Sequence, residues 1–216
     1  MEYCEEGDLS FHIKQQAKEN IFFSEKIILN WFVQITLALD YIHEKNILHR
    51  DLKSSNVFLT RTGCVKIGDF GISRILFDPQ EKVKTMIGTP QYLSPEVFLN
   101  SPYAYYSDIW SLGCLLYEMC SLKKPFDSSN VMTLANKIIN DPVPKIPKIF
   151  SNNLNFVVYF DVLPQREDFS IEENTENEYQ EDFEVSSEEN NQNEQKDPFM
   201  LTKIEEITGE FSIGES

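Results

Sequence analysis

The sequence lacks the features typical of a secreted protein, of a protein stabilised by a structural metal ion or of a membrane-spanning protein. Its four cysteines, at positions 4, 64, 114 and 120, contain no C-x-x-C pair, which disfavours a metal site or a disulfide scaffold. Its first residues, Met-Glu-Tyr-Cys-Glu-Glu, are acidic where a secretion signal is basic and then apolar. Its longest apolar run, residues 156–160, is too short to cross a bilayer. We therefore expect a reduced, cytoplasmic protein that does not enter a membrane.

Positive charge is also scarce, above all in the last quarter of the chain. The net charge is −16, and residues 166–216 contain 17 of the 35 acidic but only 3 of the 19 basic residues. Nucleic-acid phosphates would repel such a chain, which disfavours a general DNA- or RNA-binding role. Because residues 166–216 also have few aliphatic side chains, they are predicted to form a disordered acidic tail. That tail is either an inert solubilising segment or a substrate of an acidophilic kinase, with Glu three residues after Ser170, Thr175 and Ser186.

The hydrophobic pattern of residues 1–165 predicts a mainly α domain within an α+β whole. Apolar residues recur at helical spacing over residues 25–45, with Ser24 as the N-cap, and they surround the axis of a buried helix over 108–120. A further short helix is predicted over 131–140. Residues 57–59 and 65–67 flank a Thr62-Gly63 turn, which favours a small hairpin. Residues 78–106 are rich in Pro, Gly, Ser, Thr and Tyr and are predicted to form an extended functional loop.

The strongest chemical signal is the string His-Arg-Asp-Leu-Lys-Ser-Ser-Asn at residues 49–56. Its Asp and Asn have the spacing of a phosphoryl-transfer loop, H-R-D-x-x-x-x-N. The Asp51 carboxylate can accept the proton of a substrate hydroxyl, and Lys53 can steady the γ-phosphate. The Asn56 amide oxygen can bind Mg²⁺, and so can the carboxylate of Asp69 in the following Asp-Phe-Gly motif. The pattern therefore predicts Asp51 and Lys53 as catalytic residues and Asn56 and Asp69 as metal ligands.

Each of these motifs alone also fits an ordinary turn, but their order along the chain is specific. Ser94-Pro95-Glu96 follows the Asp-Phe-Gly motif, and Asp-Ile-Trp-Ser-Leu-Gly at 108–113 opens the buried helix behind it. We estimate the chance of this ordered set arising at random as below roughly 1%.

Residues 1–148 resemble the large, C-terminal lobe of a eukaryotic protein Ser/Thr kinase, and are most similar to the NIMA-related kinases. The similar stretches are residues 1–9, 66–72, 88–96 and 107–120. The resemblance implies a protein-kinase-like large helical lobe that uses ATP and Mg²⁺ and acts on protein substrates. It implies an intracellular protein, and it alone suggests an association with the cytoskeleton.

The resemblance also implies roles for residues around the nucleotide. Glu2 and Cys4 would bind the adenine edge through the backbone of a hinge strand, and Asp8 would approach the ribose. Phe58 would lie beneath the adenine ring, unless it is simply a core residue. Asn56 and Asp69 would bind the cofactor's metal.

Further implied roles concern regulation of the loop. Arg50 would receive a phosphate on Thr85, added by an activating kinase, although Thr85 is equally well explained as an unmodified loop residue. Thr89, with Gly88, marks the Ser/Thr branch and lies in the same regulatory segment. His49 and Phe70 would stack in a structural spine. Asp108 would hold the catalytic loop in place.

The sequence departs from the family at both ends. It has no Gly-rich phosphate loop and no lysine in a V-A-I-K context, so the lobe is predicted to be truncated, without the small lobe. Residues 149–165 are predicted to be a degenerate end of the lobe, in front of the tail at 166–216. Arg166 is a candidate ion-pair partner for Glu96. Two functions remain open: a Ser/Thr kinase whose 216-residue fragment is inactive alone, or a non-catalytic lobe that acts as a protein-interaction module.

Overall fold

The structure is a computed structural model, and it describes residues 3–69, 90–99 and 101–158. The chain divides into two compact units, Met1–Gln165 and Arg166–Ser216, and all the described residues belong to the first. Within this described part, no helix is long and apolar enough to cross a membrane. The predictions for the tail therefore lie outside the described residues.

The first unit is built from helices and one two-stranded hairpin. The helices are α1 (Leu9–Glu19), α2 (Glu25–His43), α3 (Pro95–Phe98), α4 (Tyr105–Ser121), α5 (Val131–Asn140) and α6 (Asn152–Phe156). The strands are β1 (Val57–Leu59) and β2 (Val65–Ile67), and short 3₁₀ turns cover Ser54–Asn56 and Pro90–Tyr92. The helix-rich architecture agrees with the predicted mainly α fold class.

The centre of the core is α4, which confirms the predicted buried helix and extends it at its N-terminal end. Leu112, Leu115, Leu116 and Met119 are fully buried. Burying each such side chain contributes roughly 1.5–3 kcal/mol relative to leaving it in water. Because α4 is apolar on all sides, it is surrounded by other elements, with α2 its main neighbour.

The helix predicted over residues 25–45 is α2. The apolar stripe is buried as predicted, namely Ile28, Phe32, Ile35, Leu39 and Ile42. The predicted N-cap is also present, since the Ser24 side chain accepts the N–H of Ile27 at 3.4 Å. At its other end, α2 is followed by five residues and then by the string at 49–56.

One helix, α1, was missed by the sequence prediction, which placed the first helix at residue 25. Only Leu9 and Ile13 of α1 are buried, so its apolar stripe is too short to give a periodic signal. Its caps carry the better signal. Asp8 accepts the N–H of Phe11 at 2.9 Å, and Asn20 ends the helix in the left-handed region at φ 54°.

The predicted hairpin is confirmed, with β1 and β2 antiparallel and Val57 opposite Ile67. Gly63 turns the chain at φ 82°, a conformation that glycine adopts without a steric penalty. The segment before α1 runs beside β1, because Leu59 donates its N–H to the Gly7 carbonyl at 2.9 Å. This pairing fixes residues 6–8 next to the strand that contains Phe58.

The loop predicted over residues 78–106 needs correction where the structure describes it. Residues 90–99 contain a 3₁₀ turn and α3, and α4 begins at Tyr105, so this part is not extended throughout. Turn-forming residues such as Pro90 and Pro95 start these short helices rather than prevent them. Residues 78–89 lie outside the described part of the chain.

The segment predicted to be a degenerate end of the lobe contains a helix, α6, within residues 152–156. Ser151 caps it, since the Ser151 hydroxyl accepts the N–H of Leu154 at 3.2 Å. Ser151 also donates to the Glu25 carboxylate at the start of α2, from its N–H at 2.8 Å and from its hydroxyl. This contact joins the end of the described chain to the helix that leads into the catalytic string.

Candidate active site

Residues 49–56 form a loop between α2 and β1 that brings three of the predicted site residues together. Lys53 Nζ lies 2.7 Å from Asp51 Oδ2, and Asn56 Nδ2 lies 3.0 Å from the same oxygen. Asn56 Nδ2 also donates to the Asp51 backbone carbonyl at 2.8 Å. Within the described residues, the other carboxylate oxygen, Oδ1, has no hydrogen-bond partner. The Asp51 side chain is one-third exposed, so Oδ1 is open to a hydroxyl group.

The loop is held in place by Asp108, a buried residue in the first turn of α4. Its carboxylate accepts the backbone N–H of His49 at 2.8 Å and that of Arg50 at 2.9 Å. His43 Nε2 lies 2.8 Å from it, and the Tyr103 hydroxyl donates to it at 2.6 Å. Burial opposes ionisation, but these hydrogen bonds outweigh it and hold the pKa of Asp108 below its usual value. A buried carboxylate in α4 thus fixes the backbone of the loop at residues 49–56, a contact that the resemblance implied.

His49 and Arg50 occupy distinct environments. The His49 side chain is fully buried, and burial lowers its pKa although Asp108 and Asp51 act in the opposite direction. His49 is therefore neutral and enclosed, in keeping with a structural role. Arg50 has a left-handed backbone, with φ 68°, and its side chain is partly exposed. Its expected partner Thr85, like Thr89 and Phe70, lies outside the described residues.

Asp69 lies at the far side of the loop, where β2 ends. Its side chain is exposed and its φ is 59°. The preceding residue, Gly68, donates its N–H to the Asn56 carbonyl at 2.9 Å, which links the two candidate metal ligands through the backbone. The negative charges of Asp69 and Asp51 both act to raise the pKa of His49, against the larger effect of burial.

The donor set of this region fits a magnesium ion. Because Asn56 Nδ2 donates to Asp51, the amide oxygen is the ligand atom that Asn56 has to offer, and Asp69 offers a carboxylate. Both are the hard oxygen donors that Mg²⁺ prefers, and Mg²⁺ commonly takes its other ligands from water and phosphate. In the part of the chain that is described, no three His, Cys, Asp or Glu side chains converge as a metal site.

Three of the four predicted nucleotide-edge residues, Cys4, Asp8 and Phe58, are described, and Glu2 lies outside the described residues. Asp8 and Phe58 are paired by an isolated antiparallel bridge, and the Cys4 carbonyl accepts the Gly7 N–H at 3.2 Å. The Asp8 carboxylate is engaged as the N-cap of α1. The Phe58 ring lies against Gly68, where an added Cβ would meet the ring carbon Cε2 at 2.9 Å. Phe58 is partly exposed, so it is not a buried core residue.

A buried brace that sequence reasoning missed joins the loop to α4, through Ser54, Tyr92 and Glu118. The Tyr92 hydroxyl donates to Glu118, and it lies 3.1 Å from Ser54 Oγ and 3.4 Å from Ser54 N. Burial raises the pKa of Tyr92, and the negative charge of Glu118 raises it further. A glutamate among the apolar residues of a buried helix was the available signal, since such a carboxylate needs a polar partner.

Glu96 has a partner that the sequence did not indicate. Its carboxylate accepts the Ser107 hydroxyl at 2.6 Å, and Ser107 Oγ in turn accepts the Ala104 N–H at the start of α4. Across the described segments, no Lys, Arg or His lies within ion-pair distance of Glu96. The predicted partner Arg166 lies outside these segments.

Comparison with known proteins defines the class to which this arrangement belongs. A family model described as "Protein kinase domain" matches residues 1–195. The chain therefore belongs to the protein kinase domain family, and the ordered motifs around Asp51 and Asp108 are those of that family.

Within the family, the similar proteins are Nek serine/threonine kinases, which confirms the NIMA-related resemblance. The chain is 51% identical to mouse serine/threonine-protein kinase Nek1 over 154 residues, 71% of this chain and 13% of that protein. It is 49% identical to mouse Nek4 over 154 residues, covering 71% of this chain and 19% of that protein. It is 49% identical to human Nek5 over 168 residues, which cover 76% of this chain and 23% of that protein. The chain thus spans less than a quarter of the length of these three relatives.

Proposed function

We propose that residues 49–56 form the catalytic loop of a protein serine/threonine kinase. Such a kinase transfers the γ-phosphoryl group of Mg-ATP to a protein hydroxyl. The observation that carries the proposal is the arrangement of Asp51. One carboxylate oxygen is bound by Lys53 and Asn56, while the other is open. Phosphoryl transfer depends mainly on positioning and charge stabilisation, and an oriented carboxylate beside an ammonium group provides both.

In this proposal, Asp51 Oδ1 accepts the hydrogen bond of the substrate hydroxyl and takes its proton as the new oxygen–phosphorus bond forms and the bond from the γ-phosphorus to the oxygen of the departing ADP breaks. Lys53 lies 2.7 Å from the other oxygen, so its charge stabilises the phosphoryl oxygens beside the acceptor. Asp108 acts through the backbone: it fixes His49 and Arg50, and thus the direction of Asp51. His49 takes no part in proton transfer, because it is enclosed and neutral.

The metal and nucleotide assignments belong to the same proposal. Asn56 and Asp69 would hold Mg²⁺, which when bound neutralises the charge of the phosphates. Asp8 pairs with Phe58 of β1, and Glu2 and Cys4 precede Asp8 in the sequence. The adenosine moiety would bind along these residues. The Phe58 ring is partly exposed, which leaves a face for the base.

Regulation through Arg50 is proposed from its charge and position. A guanidinium group is the natural bidentate partner of a phosphate, and Arg50 immediately precedes the proposed base. Phosphorylation of Thr85 by an activating kinase would provide that phosphate. Thr89 belongs to the same regulatory segment.

A cytoplasmic location stays a prediction, and so do the domain boundaries at residues 148 and 165.

We further propose that a polypeptide of these 216 residues alone has no appreciable kinase activity. The sequence contains neither a Gly-rich phosphate loop nor a V-A-I-K lysine, and both position the ATP phosphates. The alternative function is a lobe that only binds other proteins. The loop at residues 49–56 has the same geometry whether the chain is part of a kinase or only binds other proteins. Activity must therefore be measured with a Gly-rich loop and a V-A-I-K lysine supplied.

A chimera distinguishes the two functions. A protein kinase small lobe with a Gly-rich loop and strand lysine is joined in front of Met1, and Mg-dependent phosphorylation of a generic protein substrate is measured. The kinase proposal predicts activity in the chimera and none in the 216-residue chain. A folded chimera that binds ATP but transfers no phosphate would favour the interaction module. Robust activity of the 216-residue chain would contradict the proposed inactivity.

A further inference from the structure

Lys124 lies beside the buried brace and has no role in the proposed reaction. It follows α4 in the sequence, and its Nζ lies 4.7 Å from the centroid of the Tyr92 ring. Its side chain is partly buried, whereas the neighbouring Lys123 is exposed. A partly buried ammonium group loses part of its hydration. A nearby negative charge or an aromatic ring must compensate for the free energy of that lost hydration.

The compensating charge is Glu118, which is buried in α4 and accepts the Tyr92 hydroxyl. Burial raises the pKa of Glu118, while the Tyr92 hydrogen bond and the charge of Lys124 act against this rise. Burial conversely lowers the pKa of Lys124, and Glu118 opposes that shift. The titratable and charged groups that face this pair are Tyr92, Lys14 on α1, Cys114 on α4 itself, and Asp127.

The charge of Glu118 determines the direction of the hydrogen bonds in the brace. A tyrosine hydroxyl has one proton, and here it is donated to Glu118. Ser54 must then donate to the Tyr92 oxygen, from its N–H at 3.4 Å and its hydroxyl at 3.1 Å. If Glu118 took up a proton, the hydrogen bond between Tyr92 and Glu118 would no longer be charge-assisted, and the hydrogen bonds from Ser54 to Tyr92 would weaken with it. Ser54 directly follows Lys53 in the catalytic loop.

We propose that Lys124 is a positioning residue for the catalytic loop: its ammonium group on the Tyr92 ring keeps the brace directed from Ser54 through Tyr92 to the Glu118 carboxylate. The cation withdraws electron density from the ring, which makes the Tyr92 hydroxyl a stronger donor to Glu118. Lys124 acts through Tyr92, without touching the reacting atoms. The inference rests on the proposed function only in taking residues 49–56 as the catalytic loop.

Hydrogen exchange of the 216-residue chain tests this role without any measurement of kinase activity. Lys124→Met should speed exchange of the amides of residues 54–56 roughly five-fold at neutral pH, since a partly buried cation–π contact is lost. Exchange within α4 should not change. Lys124→Arg should restore the slow exchange, because a guanidinium also stacks on aromatic rings. Lys123→Met removes an equal charge from the exposed neighbour and should have no effect.

The pH dependence separates this role from simple packing. Protection of residues 54–56, corrected for intrinsic exchange, should fall on acidification as Glu118 takes up a proton. In Lys124→Met the fall should begin at a higher pH, and in Glu118→Gln it should be absent. Unchanged exchange in Lys124→Met, an equal effect of Lys123→Met, or an unshifted pH profile would each overturn the proposal. Because none of these readouts needs phosphoryl transfer, they stand even if the chain is not a kinase.

Discussion

Asp108 on α4 accepts the backbone N–H of Arg50 at 2.9 Å, while Arg50 itself holds a left-handed φ of 68°. A non-glycine residue in this region costs of order 1–3 kcal/mol, and it persists only where its surroundings impose it. The second amide bond, from His49 to the same carboxylate, supplies that constraint. The strained backbone immediately before Asp51 is therefore maintained by a buried charge 58 residues further along the chain.

This relationship predicts a large effect of Asp108→Asn. The amide would present an N–H₂ group to backbone N–H donors, leaving at least one of them buried without an acceptor. We expect the free energy of unfolding to fall by about 3 kcal/mol, as when one partner of a buried charged contact is removed. Urea unfolding followed by circular dichroism measures this change. The exposed Asp141→Asn variant is the matched control, and an equal loss in both variants would contradict the account.

The lowered pKa of Asp108 predicts an acid-dependent loss of stability. A carboxyl whose pKa is lower in the folded state stabilises the fold above its unfolded pKa, near 3.9. That contribution disappears as the pH falls through the lower, folded value. Unfolding free energies measured from pH 6 down to pH 2 should therefore fall less steeply in Asp108→Asn than in the native chain. Parallel curves would mean that folding does not lower the pKa of Asp108.

The contact of Gly68 with Phe58 predicts a coupled pair of substitutions. In Gly68→Ala the new Cβ would meet Phe58 Cε2 at 2.9 Å, so the ring must move. We expect a loss of about 1–3 kcal/mol, typical of overpacking. Phe58→Leu removes the obstructing ring edge, so the double variant should lose less than the sum of the single changes. Additive losses in this double-mutant cycle would show that the two positions do not compete for space.

The proposed role of Arg50 predicts that activation depends on Thr85. In the active chimera, Thr85→Ala should lower the rate of substrate phosphorylation, because Arg50 loses a dianionic partner. Thermal unfolding should be unaffected. Mass spectrometry of the active protein provides the second readout. Full activity with an unmodified Thr85 would remove the basis for this regulation.

The sequence was sufficient where a regular apolar pattern or an ordered motif was present. It predicted α2 with its Ser24 cap from a periodic apolar stripe, the hairpin of β1 and β2 from the turn between them, and α4 from apolar residues on all sides of its axis. It missed α1, whose stability depends on its caps and on only two buried residues. It also assigned residues 90–99 to a loop, because prolines at helix starts resemble turn signals.

For the candidate site, the motif spacing predicted which residues to examine but not how they are held. The Asp51–Lys53–Asn56 contacts follow from neighbours on one loop, so local sequence could suggest them. The Ser54–Tyr92–Glu118 brace joins residues 38 and 26 positions apart, and no local pattern encodes such contacts. The sequence likewise does not distinguish Lys124 from the other lysines, because its contact with the Tyr92 ring is visible only in the folded structure.

The most direct test of the account is the rate of a single phosphoryl transfer with Asp51 replaced. In the chimera with a small lobe, Asp51→Asn should lower the single-turnover rate by roughly 10²–10⁴-fold, the typical contribution of a general base, while ATP affinity changes little. The exposed Asp141→Asn variant should transfer phosphate at the native rate. If Asp51→Asn transferred phosphate as fast as the native chimera, Asp51 would not be the base, and the proposed catalytic loop would be wrong.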